Sequence, residues 1–221
     1  MPEVTFNGSE GRLEGRYHHS EKSRAPLAII LHPHPRLGGN MNNKVVYTLF
    51  KCFTRLGFSV LRFNFRSVGR SQRVFEGGPG ELSDAASALD WLQSMNPESS
   101  ECWVAGYSFG AWIGMQLLMR RPEIEGFISV SPPAGTKDFS FLAPCPSSGL
   151  IVQGAKDEVV SEPAVANLAR KLNAQKNIKV QYHQLPEADH YLGDQLLDLH
   201  QVVSSYVLRE LKRVKKPLKR R

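Results

Sequence analysis

Ser108 lies at the centre of Gly106-Tyr107-Ser108-Phe109-Gly110, a G-x-S-x-G pentapeptide. The apolar run from Trp103 to Tyr107 reads as a strand and the run from Phe109 to Arg120 as a helix. A serine on so tight a strand-to-helix turn is forced into strained backbone, and its hydroxyl stands clear of the sheet edge. Gly106 and Gly110 give clearance where helix and strand cross, and Ala111 and Gly114 continue the small face. The chemistry this serves is attack on an acyl carbon. A serine hydroxyl is protonated at neutral pH, so it needs an imidazole to remove its proton and a carboxylate to orient that imidazole.

The chain order Ser, acid, His places the acid after a later strand and the histidine after the last one. Gly149 to Asp157 reads as a buried-type strand running into a loop, with Asp157 just past the strand's carboxyl end. Lys179 to Leu185 alternates as a last strand, and Pro186-Glu187-Ala188-Asp189-His190 is the loop behind it. Asp157 and His190 are therefore the expected acid and base. Asp138 lies in an irregular Pro-rich segment and Asp189 adjoins the histidine itself. His183 alternates within a strand, and His200 falls in the final helix pattern.

Attack also requires donors for the developing oxyanion, worth about 3 to 4 kcal/mol each. One is expected to be the N–H of Phe109, the residue after the nucleophile. The other should come from the loop after the early strand Leu27 to Leu31, which continues as His32-Pro33-His34-Pro35. Proline has no N–H, so His32 and His34 are the donors available there, and the His34 N–H is the expected one. A metal site is the competing reading of His32 and His34, but no acidic or cysteine ligand cluster accompanies them.

These residues must be carried by alternating strands and helices. A helix from about Asn43 to Arg55 has Val46, Leu49, Phe50 and Phe53 at helical spacing and ends at Gly57. A strand from Phe58 to Phe65 follows, then the turn Arg66-Ser67-Val68-Gly69-Arg70-Ser71, a Gly-rich stretch over Gly77, Gly78 and Gly80, and a helix from about Glu81 to Met95. Strands are expected over Glu101 to Tyr107, Phe127 to Val130, Leu150 to Gln153 and Ile178 to Leu185. Helices are expected over Phe109 to Arg120, Pro163 to Leu172 and Gly193 to about Lys212. The fold class is α/β, a doubly wound and mostly parallel sheet.

With these residues in view, the chain resembles the α/β-hydrolase superfamily over nearly its full length. His32-Pro33-His34-Pro35 with Gly38-Gly39-Asn40-Met41, Phe63-Asn64-Phe65-Arg66 with Gly69-Arg70-Ser71, and Ala188-Asp189-His190 are similar to a small bacterial group of hydrolases akin to dienelactone hydrolases and prolyl-peptidase catalytic domains. The resemblance implies a nucleophile at Ser108, partners at Asp157 and His190, and an oxyanion donor near His34. Relatives usually read Arg-Gly-x-Gly-x-Ser where this chain has Arg66-Ser67-Val68-Gly69-Arg70-Ser71, so the first turn glycine is replaced. Arg66 and Arg70 would either hold an anionic substrate or pin the turn, and the likeness favours pinning.

The chain has 221 residues, 41% of them hydrophobic, which suits one domain with a sizeable core. Between Ser131 and Ser148, where many relatives insert a cap, there is only a Pro-rich loop. Its Phe139, Phe141 and Leu142 would wall an acyl pocket or cover the sheet edge. Cys52, Cys102 and Cys145 follow no pairing pattern, and no signal peptide or membrane-length apolar run is present, so a cytoplasmic location is expected. No phosphate loop, metal cluster or repeat stands out, and no cofactor or metal is expected.

The formal net charge of +7 resides in residues 209–221, which hold eight basic residues and one acid. The expected organisation is therefore a hydrolase domain over 1–208 and a basic tail over 209–221. The tail is either a solvated helix end or a contact for nucleic acid or an anionic surface. Two readings of different class follow. One is a carboxylesterase-like serine hydrolase of small soluble esters or thioesters, with peptidase or amidase activity on the same triad as its variant. The other is a non-catalytic binding protein using the basic tail. Homo-oligomerisation is left open.

Overall fold

A computed structural model describes residues 2–99 and 101–214. In chain order the elements are β1 (Glu3–Asn7), β2 (Arg12–His18), β3 (Leu27–Leu31), α1 (Lys44–Arg55), β4 (Ser59–Phe63), α2 (Pro79–Ser94), β5 (Cys102–Tyr107), α3 (Phe109–Arg120), β6 (Ile124–Val130), β7 (Gly149–Gly154), α4 (Glu162–Asn173), β8 (Val180–Leu185) and α5 (Leu196–Val214). The strands form one sheet in the order β1-β2-β4-β3-β5-β6-β7-β8. β3 to β8 pair in parallel, whereas β1, β2 and β4 pair antiparallel.

The parallel strands are apolar on both faces because helices cover both. In β3, Leu27, Ile29 and Leu31 point into a core shared with α2, α3 and α4, while Ala28 and Ile30 point into a second core with α1 and α5. The doubly wound α/β expectation holds. The hairpin β1–β2 was not anticipated: Gly8 N–H bonds to the Gly11 carbonyl at 2.7 Å and Phe6 pairs with Leu13. Its signal is the Gly8-Ser9-Glu10-Gly11 turn followed by alternation from Arg12 to His18.

β4 stops two residues short of the expected Phe65: the Asn64 amide still reaches β2, but those of Phe65 and Arg66 are taken from outside the sheet. Asn64 N–H bonds to the Glu14 carbonyl at 2.9 Å, Phe65 N–H to the His32 ring at 3.0 Å and Arg66 N–H to Asp84 at 2.9 Å. β6 begins at Ile124, three residues before the expected Phe127. Between β6 and β7 there is only a 3-10 turn, Ser140–Leu142, in place of a helical cap. The boundary drawn at residue 208 falls within the continuous helix α5. Residues 215–221 of the basic segment lie outside the described residues.

Candidate active site

The sharp turn between β5 and α3 sets Ser108 at φ 53° and ψ −116°, a region that side-chain-bearing residues rarely occupy. Its amide is fixed by a 2.8 Å bond to the Val130 carbonyl of the neighbouring strand. A Cβ on Gly106 would overlap the Gly110 carbonyl, and one on Gly110 would overlap the carbonyls of Leu31 and His32. Both glycines are thus demanded by backbone crossing backbone. Ser108 is half-buried and its hydroxyl makes no capping bond to the helix it precedes.

Asp157 and His190 come from the loops after β7 and β8, at the same sheet edge as the turn after β5. His190 Nδ1 lies 2.9 Å from Asp157 Oδ2, with the carboxylate fully enclosed and the imidazole 9% exposed. The other oxygen, Oδ1, accepts the N–H groups of Val159 at 2.9 Å and Val160 at 2.7 Å, and Gln153 Nε2 donates to Oδ2 at 3.0 Å. Burial by itself would raise the Asp157 pKa, but the bonds from His190, Val160 and Val159 outweigh it and hold the group below its ordinary value. The carboxylate is therefore charged and saturated, which fixes the ring of His190 and leaves Nε2 as the nitrogen that can exchange protons. The Tyr107 ring lies 5.4 Å from that of His190, which sets the imidazole beside the elbow. No hydrogen bond joins Ser108 to His190 in this structure, as is common before a substrate closes such contacts.

On the other side of the elbow, the Phe109 N–H is the first of α3 and has no intrahelical partner. The His34 ring packs 5.1 Å from the Phe109 ring, which brings the loop after β3 against the helix start. His34 caps the 3-10 turn Pro35–Leu37 by accepting the Arg36 N–H at 3.2 Å, and its carbonyl accepts Gly39 N–H at 3.1 Å. A Cβ on Gly39 would overlap the Pro33 carbonyl, so this loop is wound tightly.

His32 has a different place. It is fully buried, its Nδ1 lies 2.7 Å from the Pro33 carbonyl and its Nε2 accepts the Phe65 N–H. Burial pushes its pKa down to about 4, so it is a neutral tie between the loops after β3 and β4. With both nitrogens engaged, the ring offers no metal ligand. Among the described residues no group of three or more His, Cys, Asp or Glu side chains could hold a metal ion.

The four rivals make other contacts. His183 is half-buried in β8, His200 on α5 meets Arg55 Nη1 at 3.3 Å, Asp138 caps Ser140, and Asp189 is exposed. Arg66 is 1% exposed and forms a bidentate pair with Asp84 through bonds of 3.1 and 2.9 Å, with Glu76 and Glu10 also against it. Arg70 is held by Glu14 and Glu3. Both arginines pin the turn. Ser67, standing where relatives carry glycine, adopts φ 67°, the left-handed backbone that a glycine would accept most easily.

Phe139 and Leu142 are buried in the core shared with α2, α3 and α4, and Phe141 stacks on Phe139 at 5.9 Å. The cavity that Phe139 and Leu142 line, about 250 Å³, lies against α4 and is bounded by none of Ser108, Asp157 and His190. The side chains that flank the elbow are instead Phe75 and Trp112, each 5.8 Å from Phe109. Trp112 lies one helical turn beyond Ser108, a spacing that marks it for the same face. Phe75 comes from the Gly-rich loop and carries no such signal.

A family model described as X-Pro dipeptidyl-peptidase (S15 family) matches residues 9–206. The chain is similar to an uncharacterized protein of Rickettsia prowazekii, with 49% identity over 212 residues, 94% of this chain and 89% of the other. Among solved structures it is similar to a protein of unknown function from Agrobacterium tumefaciens, with 60% identity, 96% and 97% of the two chains covered and a TM-score of 0.93. It is also similar to a serine hydrolase without a lid from Xanthomonas campestris, with 32% identity, 94% of each chain covered and a TM-score of 0.83. No helix among the described residues is long and apolar enough to cross a membrane.

Proposed function

Because the chain belongs to the α/β-hydrolase superfamily, within the family described as X-Pro dipeptidyl-peptidase (S15), we propose that it is an acyl-serine hydrolase acting on small esters and thioesters. Ser108 is the nucleophile, His190 the general base and acid, Asp157 its orienting carboxylate, and the N–H groups of His34 and Phe109 form the oxyanion hole. The observation that carries this reading is the enclosed Asp157–His190 bond of 2.9 Å on loops adjoining the strained serine.

The steps follow from those positions. His190 Nε2 takes the Ser108 proton as Oγ bonds to the carbonyl carbon, and the carbonyl oxygen gains the charge that the two N–H groups stabilise. The intermediate collapses, the bond to the leaving group breaks, and His190 returns the proton to it. Water then attacks the acyl-serine, giving its proton to His190, and release of the acid restores the Ser108 hydroxyl.

Peptide cleavage on the same residues is the second reading, favoured by the description of the matched family. A peptide with a free amino terminus needs an unengaged carboxylate, and those beside the elbow are occupied. Glu81 accepts the N–H groups of Glu76 and Gly78, and Glu76 pairs with Arg66. This supports the ester reading.

The test uses a fluorophosphonate probe, p-nitrophenyl butyrate and Ala-Pro-p-nitroanilide with wild type and Ser108→Ala. Labelling and ester turnover confined to wild type, with the anilide left intact, are expected. Anilide cleavage exceeding ester cleavage would replace the ester reading by the peptidase one, and absence of labelling on folded protein would remove the nucleophile assignment.

A further inference from the structure

The rings of His34, Phe75, Phe109 and Trp112 form a continuous surface beside the elbow, with neighbouring centroids 4.8 to 5.8 Å apart. Two cations lie on it. The Arg36 guanidinium sits 4.9 Å over the Phe75 ring and the Lys137 ammonium 4.5 Å over the Trp112 ring. The Trp112 indole N–H donates to the Asp138 carbonyl at 3.1 Å, which anchors the segment bearing Lys137 to α3.

The carboxylates that could neutralise these cations are committed elsewhere. Asp138 accepts the amide and hydroxyl of Ser140 at 2.8 and 2.7 Å, Glu76 pairs with Arg66, and Glu81 binds backbone N–H groups. Among the described residues neither Arg36 nor Lys137 forms an ion pair. Burial lowers the His34 pKa first, and the charges of Lys137 and Arg36 lower it further against a smaller opposing contribution from Glu81, so both cations act at the residue proposed to supply an oxyanion donor. A cation on an aromatic face is held in place with part of its hydration removed, which readies it for a second partner.

We propose that the site selects substrates bearing an anionic carboxylate or phosphate, which Arg36 and Lys137 bind while the ester carbonyl meets Ser108. This deepens the serine-hydrolase reading and rests on it. Such a pair adds substrate binding through charge, with an effect that salt weakens.

The experiment compares matched esters, with the rate of Ser108→Ala subtracted. Mono-p-nitrophenyl adipate against p-nitrophenyl hexanoate places the charge on the acyl side, and 4-butyryloxybenzoate against phenyl butyrate places it on the leaving group. Wild type is expected to favour the anionic member of at least one pair about tenfold in kcat/KM, chiefly through KM, with the preference shrinking as salt is raised. Arg36→Gln and Lys137→Gln are each expected to lower that ratio about three- to fivefold and the double variant to abolish it. Lys171→Gln, an exposed cation on α4, keeps the wild-type ratio. Equal rates within both pairs, or an undiminished ratio in the double variant, overturns the inference. Fluorophosphonate labelling of Ser108 in the same samples separates the two failures: labelling without preference sinks the anion selection alone, whereas no labelling sinks the hydrolase reading beneath it.

Discussion

The Tyr107 hydroxyl donates a 2.7 Å hydrogen bond to the carbonyl of His190. The residue before the candidate nucleophile thus holds the backbone of the candidate base, and the turn after β5 and the loop after β8 are tied through one phenol. Burial raises the Tyr107 pKa, with the Asp157 charge adding to it, so the phenol remains a donor at any working pH. Tyr107→Phe leaves a buried carbonyl unpaired, which costs about 1 to 3 kcal/mol. Urea unfolding should show that loss, and kcat should fall about tenfold with KM changing less, since orientation of His190 is what is relaxed. Unchanged kcat in a destabilised protein would leave Tyr107 a purely structural residue.

Asp157→Asn replaces a charged acceptor by an amide that presents N–H to His190. The ring then turns to its wrong tautomer, and kcat for ester hydrolysis is expected to fall by roughly 10³ to 10⁴. Steady-state rates at pH 7.5 measure this, with circular dichroism to show that the fold persists. A loss under tenfold would point to another acid.

His32 links stability to pH. Its folded pKa of about 4 lies below the unfolded value of 6.5, so the unfolded chain binds a proton that the native state refuses. The associated stability is present above pH 6.5 and declines as pH falls from 6.5 toward 4, by about 3 kcal/mol in all. His32→Gln should flatten this part of the curve in urea titrations taken from pH 4 to 8. If the slopes of the two proteins coincide, the imidazole is not the group responsible.

Gly110→Ala would drive a methyl into the backbone carbonyls of Leu31 and His32. Neither strand can yield without moving the elbow, so the loss should exceed about 3 kcal/mol, beyond the ordinary range for a surface substitution. Differential scanning calorimetry checks the shift in Tm. Gly193→Ala, where an added Cβ has no neighbour within 4 Å, is the control.

Much of this was readable in the chain. β3 and β5 are continuous apolar runs, and β6 and β7 hold shorter ones at Phe127–Ile128 and Leu150–Val152, because both faces are covered, and that pattern survives in sequence. Gly106 and Gly110 announce the elbow, and Asp157 and His190 follow their strands at the expected distances. The hairpin β1–β2 was less legible, since half its side chains are polar and its pairing with β4 is remote in sequence. Phe75 was illegible for a similar reason: a loop residue has no periodicity to reveal which surface it joins.

The sequence by itself determined the alternation of strands and helices from β3 onward, the glycine-bounded turn at Ser108 and the candidates Asp157 and His190, because hydrophobic periodicity and glycine spacing are local properties. Tertiary structure alone decided that His32 is a neutral tie and not a ligand, that Arg66 is consumed by Asp84, and that Phe139 and Leu142 belong to the core while Phe75 and Trp112 flank the elbow. It also decided that Arg36 and Lys137, a hundred residues apart, share one aromatic surface. Burial and partnership depend on which segments the folded sheet brings together, and identical residue types carry opposite roles until those neighbours are fixed.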